Sequence, residues 1–398
     1  MLIDANRHRP SLLSCVQQQK WEDSRLDPLH EPVANLLHNR FRGGGMPPQA
    51  GLATGEVSVD ASEPLALLER CPAAVPTPLR DMPELARALG VTSVLLKDET
   101  ARMGLGSFKA LGAAYVIARE AAHRVDSPDD PADRERMAHA LEGTVYACAS
   151  AGNHGLSVAA GARIFGARAL IYLADTVPDA FAQRLRRLGA EVVRPGGDYE
   201  NAMATVAGDA DNNGWILLSD SSWPGYTELP IRVMEGYLVS GAEVVDTLDE
   251  PPTHVFLQAG VGGLAAAMTT LFRARWGDMP TIVIVEPDAA PAIIESVRAG
   301  RPIAATGPAS SMGRLDCKEP SHLALGALAR GADWFLTISD EQCATTVRLL
   351  ARLGVETTPS GAAGVAAVQH AGARRDALGL TADSRIVAFV SEGTEEGA

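Results

Sequence analysis

Cysteine pairs at metal or redox spacing are missing from this sequence: Cys15, Cys71, Cys148, Cys317 and Cys343 are scattered, with no CxxC among them. That excludes a disulfide scaffold and a structural zinc site, and makes a reducing compartment the expectation. Positive charge is in deficit, 35 Lys plus Arg against 49 Asp plus Glu, and a formal charge of -14 repels polyphosphate and anionic lipid. Nucleic acid is therefore not an expected partner. No uninterrupted apolar run approaches the roughly 18 residues of a membrane span, and the first ten residues lack the apolar core of a signal peptide. The expectation is a cytoplasmic protein with no membrane attachment. Aromatics are scarce at 5%, yet hydrophobic residues fill 46% of the 398 positions, which suits about one to three packed domains.

Residues 1–60, with Gly43-Gly44-Gly45 and Pro47-Pro48, carry no sustained periodicity and read as an N-terminal extension that wraps or frays. From Val91 onward, short β-rich runs alternate with Ala-rich stretches of helical length, which predicts βαβ units around a mostly parallel sheet. Strands are expected at Ser93–Leu96, Thr144–Ala149, Ala169–Leu173, Trp215–Leu218, His254–Gln258, Thr281–Glu286, Trp334–Ile338 and Ile386–Ser391. The Asp-, Pro- and Arg-rich segment Asp126–Glu135 reads as a solvated loop. So many strands predict two α/β layers with the chain crossing between them twice, and a ligand cleft where they meet.

Four glycine-punctuated motifs follow or end these strands. Gly104-Leu-Gly-Ser-Phe108-Lys109-Ala-Leu-Gly112 leads into an apolar helix. A lysine at a helix start faces the positive end of the macrodipole, so its amine is expected to be depressed in pKa and suited to nucleophilic attack on an aldehyde. An exposed helix-start lysine would read the same. Ala149-Ser150-Ala151-Gly152-Asn153-His154-Gly155 places small residues and free N–H groups at another helix start, where a carboxylate can bind and Asn153 can meet a phenolic oxygen. The plain alternative is a strand-to-helix turn.

Gln258-Ala-Gly260-Val261-Gly262-Gly263-Leu264-Ala265 offers backbone N–H groups to a phosphate. It also fits the GxGxxA dinucleotide fingerprint, with Glu286 closing the next strand where a ribose-binding acid would sit, so an NAD-dependent dehydrogenase stands as a second reading. The last motif is Phe389-Val-Ser391-Glu392-Gly393-Thr394, where a hydroxyl can meet a ring nitrogen or simply end a strand.

Taken together and in this order, the four motifs resemble the fold-type II pyridoxal-phosphate enzymes, the tryptophan synthase β family, from Pro76 to about Thr394. Within it the pattern most resembles the diaminopropionate ammonia-lyases, through Lys97-Asp-Glu99, Phe108–Gly112, Gly152–Gly155, Asp220-Ser-Ser-Trp223, Gly225-Tyr-Thr227, Met234-Glu-Gly-Tyr237, Gln258–Gly262, Glu286-Pro287 and Glu319-Pro320. The resemblance implies two α/β domains with mostly parallel sheets and an active site in the interdomain cleft. Residues 61–115 and 243–398 would form the large cofactor-binding domain, and 116–242 the small one. It implies pyridoxal 5'-phosphate on Lys109 as a Schiff base, with Phe108 beside it. Gly260, Val261, Gly262, Gly263 and Leu264 would form the phosphate cup, Asn153 would reach the phenolic oxygen and Ser391 the pyridine nitrogen. Ser150, Ala151, Gly152 and His154 would lie on the loop that clamps the substrate carboxylate, and Asp220 would be the base for an L-substrate, with a pKa nearer neutrality than a free carboxylate's.

The implied reaction is β-elimination from a small L-amino acid to a 2-oxo acid and ammonia; for 2,3-diaminopropionate the products are pyruvate and two ammonias. A serine or threonine dehydratase and a β-replacement synthase of the same fold are the alternatives, and the family implies a homodimer. Two departures bear on specificity. Ala151 stands where the ammonia-lyase pattern carries the Asp associated with the D-isomer. Arg314, Asp316 and Lys318 replace small uncharged residues, and a positive pocket edge from Arg314 and Lys318 would favour anionic or strongly polar β-groups.

Overall fold

The protein, a computed structural model, is described over residues 35–125 and 131–394. Cys15 lies outside them, as do the first 34 positions of the expected extension. The described strands are β1 (Asn35–His38), β2 (Leu79–Asp81), β3 (Ser93–Asp98), β4 (Val145–Ala149), β5 (Arg168–Tyr172), β6 (Glu191–Val193), β7 (Ile216–Leu217), β8 (His254–Gln258), β9 (Thr281–Pro287), β10 (Trp334–Ile338) and β11 (Arg385–Val390). Seven build one sheet in the order β1-β10-β9-β8-β11-β3-β2, and four build another in the order β6-β5-β4-β7. The smaller sheet is parallel throughout, as are the inner strands of the larger, whereas β1 and β2 pair antiparallel at its edges. Helices cover both faces of such sheets, which is why β4 (VYACA) and β8 (HVFLQ) are buried at every position and read as continuous runs without alternation.

The sequence expectation of alternating strands and helices is met, with β8 and β10 at the expected bounds and the other expected strands shifted by a residue or two. Three elements differ. Residues 35–38 do more than wrap: β1 adds antiparallel to β10, and the buried Asn39 amide donates to the carbonyls of Ala329 and Ala332 at 2.8 and 2.6 Å. The three-residue strands β2 and β6 are too short for a period-2 pattern to reveal. The expected loop 126–135 falls partly outside the described residues, and from Pro131 onward it is helix, Pro131–Ala138, with proline at a helix start and good helix formers behind it.

The smaller sheet draws all its strands from residues 145–217, between β3 and β8 of the larger. Helix Glu228–Thr247 brings the chain back and packs against the turn at Phe108–Leu111 and the helix Gly112–His123. The approach is close enough that a Cβ on Gly236 would lie 2.2 Å from the Leu111 carbonyl, so only glycine fits there. Among the described residues no helix is long and apolar enough to cross a membrane.

Candidate active site

The motif residues collect at the carboxyl ends of the parallel strands, where α/β sheets place their ligands. β3 feeds the Gly104–Lys109 segment, β4 the Ser150–His154 loop, β8 the Gly260–Leu264 loop, and Ser391 follows β11. Asp220 follows β7. Lys109 sits in a 3₁₀ turn, Phe108–Leu111, whose preceding Ser107 side chain accepts from the Lys109 N–H at 3.1 Å. The Phe108 N–H donates to the Ser391 carbonyl at 3.1 Å, and Ser107 bridges Glu392, so the last strand is bonded directly to the lysine turn.

A buried ionic cluster lies just upstream of that turn. Arg102 donates to Glu99 at 2.7 Å and to Glu243 at 2.6 Å, and Lys97 pairs with Glu243. Lys97, Glu99 and Arg102 are at most 1% exposed. Burial pushes the Glu99 carboxyl up, but Arg102 and Lys97 more than offset this and hold it below its ordinary value. Removing one member leaves a buried charge uncompensated. Arg102→Met is therefore expected to cost about 3–5 kcal/mol of stability in urea denaturation, against under about 1 kcal/mol if the cluster behaved as an exposed ion pair.

Lys109 Nζ pairs with the Asp220 carboxylate, each side chain 21% exposed. The expected depression of the lysine does not occur. Burial does push its pKa down, but Asp220 and the Tyr237 oxygen outweigh it and the amine is held well above its ordinary value. Asp220 is the mirror case: burial pushes its carboxyl up, yet the Lys109 ammonium and His154 hold it well below the usual carboxylate range. A base nearer neutrality is therefore not what the pair provides while Lys109 is an ammonium. Once that nitrogen is engaged in a neutral linkage, the main influence holding Asp220 down is gone, and burial pushes its pKa up.

Around the pair, Phe108 meets Tyr237 edge to face at 4.9 Å between ring centroids, and Lys109 Nζ lies 5.3 and 5.7 Å from the two ring centres. Ser150 Oγ accepts from the N–H groups of Gly152 and Gly155 at 3.3 and 3.1 Å, which fixes the loop that opens helix Asn153–Ile164. His154 is buried, with Nε2 2.8 Å from the Leu218 carbonyl; burial lowers its pKa, so the neutral ring donates through Nε2. Its Nδ1 has no hydrogen-bond partner among the described residues. Asn153 donates to Glu392 at 2.5 Å, and Thr358 donates to the same carboxylate.

Gly262, at φ +99°, precedes helix Gly263–Trp276, and among the described residues no side chain caps that helix. Its leading N–H groups thus have no intrahelical partners, the arrangement with which a helix start holds an anion. A Cβ on Gly260 would come within 3.0 Å of both the Arg314 carbonyl and Cys317 Sγ. A side-chain-free glycine loop, an uncapped helix start, a lysine with an acidic partner and an orphaned buried ring nitrogen together fit a phosphorylated pyridine aldehyde.

Two residues belong here that the motif reading left without a role: Tyr237, flanking Phe108, and Glu392, next to Ser391. Arg314 is at the site, and Lys318 is not. Lys318 Nζ is held by the carbonyls of Ala289 and Pro308 at 2.8 and 2.9 Å and by Asp316 at 2.6 Å. The dehydrogenase reading loses its key acid. Glu286 is buried, and its two oxygens accept the Ile293 and Ile294 N–H groups at 2.7 and 2.8 Å, capping helix Ala292–Ala299; burial pushes its carboxyl up to about 8.

Residues 71–392 match the family described as pyridoxal-phosphate dependent enzymes, and the chain belongs to that family. Pyridoxal phosphate is accordingly its cofactor, and its fold is fold type II. Among its relatives, the diaminopropionate ammonia-lyase of Salmonella typhimurium is 30% identical over 360 residues, 85% of this chain and 87% of the relative. The human L-serine dehydratase/L-threonine deaminase is 32% identical over 215 residues, 54% of this chain and 57% of the relative. A crystal structure of the Escherichia coli diaminopropionate ammonia-lyase in complex with D-serine superposes with a TM-score of 0.81 at 27% identity, covering 91% of this chain and 94% of the other.

Proposed function

We propose that the protein is an ammonia-lyase that performs β-elimination on a small L-amino acid, releasing a 2-oxo acid and ammonia, with L-2,3-diaminopropionate going to pyruvate and two ammonias. The observation that carries this is the Lys109–Asp220 pair, with Gly263 next to the Asp220 backbone and His154 close enough to act on the Asp220 charge. Bound there, pyridoxal phosphate supplies the electron sink that stabilises negative charge at Cα after proton loss.

The chain's own residues supply the rest. Lys109 holds the cofactor covalently, with the Phe108 ring against it. Gly260, Val261, Gly262, Gly263 and Leu264 take the phosphate on their N–H groups. Asn153 turns its amide from Glu392 to the phenolic oxygen, and Ser391 meets the ring nitrogen. The loop from Ser150 through Ala151 and Gly152 to His154 holds the substrate carboxylate. Asp220 removes the α-proton of the L-isomer, and the β-group leaves from the adjacent carbon.

The serine dehydratase relative favours one second reading, loss of a β-hydroxyl with the same roles. In the same proposal, residues 61–115 with 243–398 form the cofactor domain and 116–242 the small domain, and the enzyme works as a cytoplasmic homodimer. Purified protein supplied with pyridoxal phosphate is expected to show the visible absorbance of a lysine-linked cofactor and to release 2-oxo acid from L-2,3-diaminopropionate or L-serine. A colourless protein that binds NAD and releases none would overturn the proposal.

A further inference from the structure

Arg314 ties three parts of the site together. Its backbone N–H donates to Ser360 Oγ at 3.0 Å, and its carbonyl would lie 3.0 Å from a Cβ on Gly260. Its guanidinium reaches across to the other side of the cleft: Nη1 donates to the Ala151 carbonyl at 2.8 Å, Nε lies 4.0 Å from Glu392, and the guanidinium carbon is 5.8 Å from the Phe181 ring centre. Gly152 leaves room for it, since a Cβ there would lie 3.2 Å from Arg314 Cδ.

We infer that Arg314 anchors the α-carboxylate of the amino-acid substrate, an inference that takes its ligand from the elimination reading above. The charge arithmetic asks for such a group. Glu392, its side chain 7% exposed, places a carboxylate beside the loop that must admit another one, and Arg314 is the cation against it. The loop alone offers little: Ser150 Oγ already engages the N–H groups of Gly152 and Gly155, which leaves the start of helix Asn153–Ile164. A guanidinium carries five donors in a fork matched to a carboxylate, and being planar and weakly hydrated it tolerates this partly buried place. The sequence suggested instead that Arg314 and Lys318 favour an anionic or strongly polar β-group. With Lys318 bound elsewhere, Arg314 is the member of that pair left at the site, and its guanidinium sits on the loop that meets the group all amino acids share.

The test uses two ligands that differ only by a carboxylate, L-alanine and ethylamine, with O-phospho-L-serine as a third that adds an anionic β-group, each titrated by visible absorbance into the cofactor-loaded enzyme and its Arg314→Ala and Arg314→Lys variants. Arg314→Ala is expected to weaken L-alanine by roughly 10- to 100-fold, the loss of one charge-assisted hydrogen bond, and to leave ethylamine unchanged. Arg314→Lys is expected to recover part of the loss. Unaltered L-alanine binding in both variants would overturn the inference. So would an equal loss for both ligands, which would mark a structural role, or a loss seen only with O-phospho-L-serine, which would mark a β-group subsite. These are binding readouts, so failure of the elimination reading shows separately, as absence of 2-oxo acid release from every substrate.

Discussion

Lys109→Ala is expected to lower turnover by on the order of 10³–10⁶-fold, because a methyl group can neither hold the cofactor nor return a proton. The visible band of the lysine-linked cofactor and its trapping by borohydride should disappear with it. A second consequence follows from the pairing with Asp220. In the unmodified, cofactor-free protein Asp220 is held below its ordinary 3.8 and Lys109 above its ordinary 10.5, so the pair contributes its full stability between those values. That contribution fades as pH falls through the depressed carboxyl or rises through the elevated amine. In the variant the Lys109 ammonium is gone, and burial, the largest influence on Asp220, is expected to outweigh the smaller lowering by His154 and a backbone hydrogen bond, so the carboxyl rises above its ordinary 3.8, the sign reverses and stability falls as pH climbs. Urea denaturation of the cofactor-free forms at mildly acidic and mildly alkaline pH measures this. A variant whose midpoint keeps the parent's pH dependence, or that still turns over substrate, would contradict the assigned partnership.

Removal of the α-proton needs a base on the face of the cofactor plane toward which that proton points, and L- and D-isomers present it to opposite faces. In the proposed roles Asp220, beside Lys109, serves one face, while Ala151 puts no carboxylate at its position on the loop that would serve the other. D-isomers are therefore expected to react about 10²–10⁴-fold more slowly than L-isomers, the usual cost of a missing general base. Asp220→Asn should bring the L-rate down by a similar factor while the cofactor spectrum persists. Initial rates of 2-oxo acid release from both enantiomers of 2,3-diaminopropionate and serine decide it. Equal D and L rates in the parent enzyme, or an undiminished L-rate in Asp220→Asn, would contradict this division of roles.

Local pattern carried the reading a long way and then met its limit. β8 and β10 stand at the expected residues because a buried parallel strand is a continuous apolar run bounded by turn signals. The glycine loops were legible for the same local reason. β1 was not: Asn35–His38 is a strand only because β10 offers it an edge, hundreds of residues away. The Lys109 amine shows the limit most clearly. Its helix-start position argues for a depressed pKa, but its partner lies 111 positions along the chain, and that contact reverses the sign. Glu286 is a similar case. Its place after a strand suits a ribose acid, whereas the fold spends both its oxygens on the next helix. Arg314 and Lys318 are four residues apart and look equivalent in sequence, yet the backbone sends one to Ala151 and the other to Ala289.

The claim that this enzyme eliminates a β-group is tested most directly by counting ammonia against 2-oxo acid released from L-2,3-diaminopropionate. Elimination followed by hydrolysis consumes one water and yields pyruvate with two ammonias, so a ratio of about two is expected, with no dependence on NAD. Oxidative deamination would release a single ammonia, retain the β-nitrogen in the product and require an electron acceptor. A ratio of one with reduction of NAD would contradict the account.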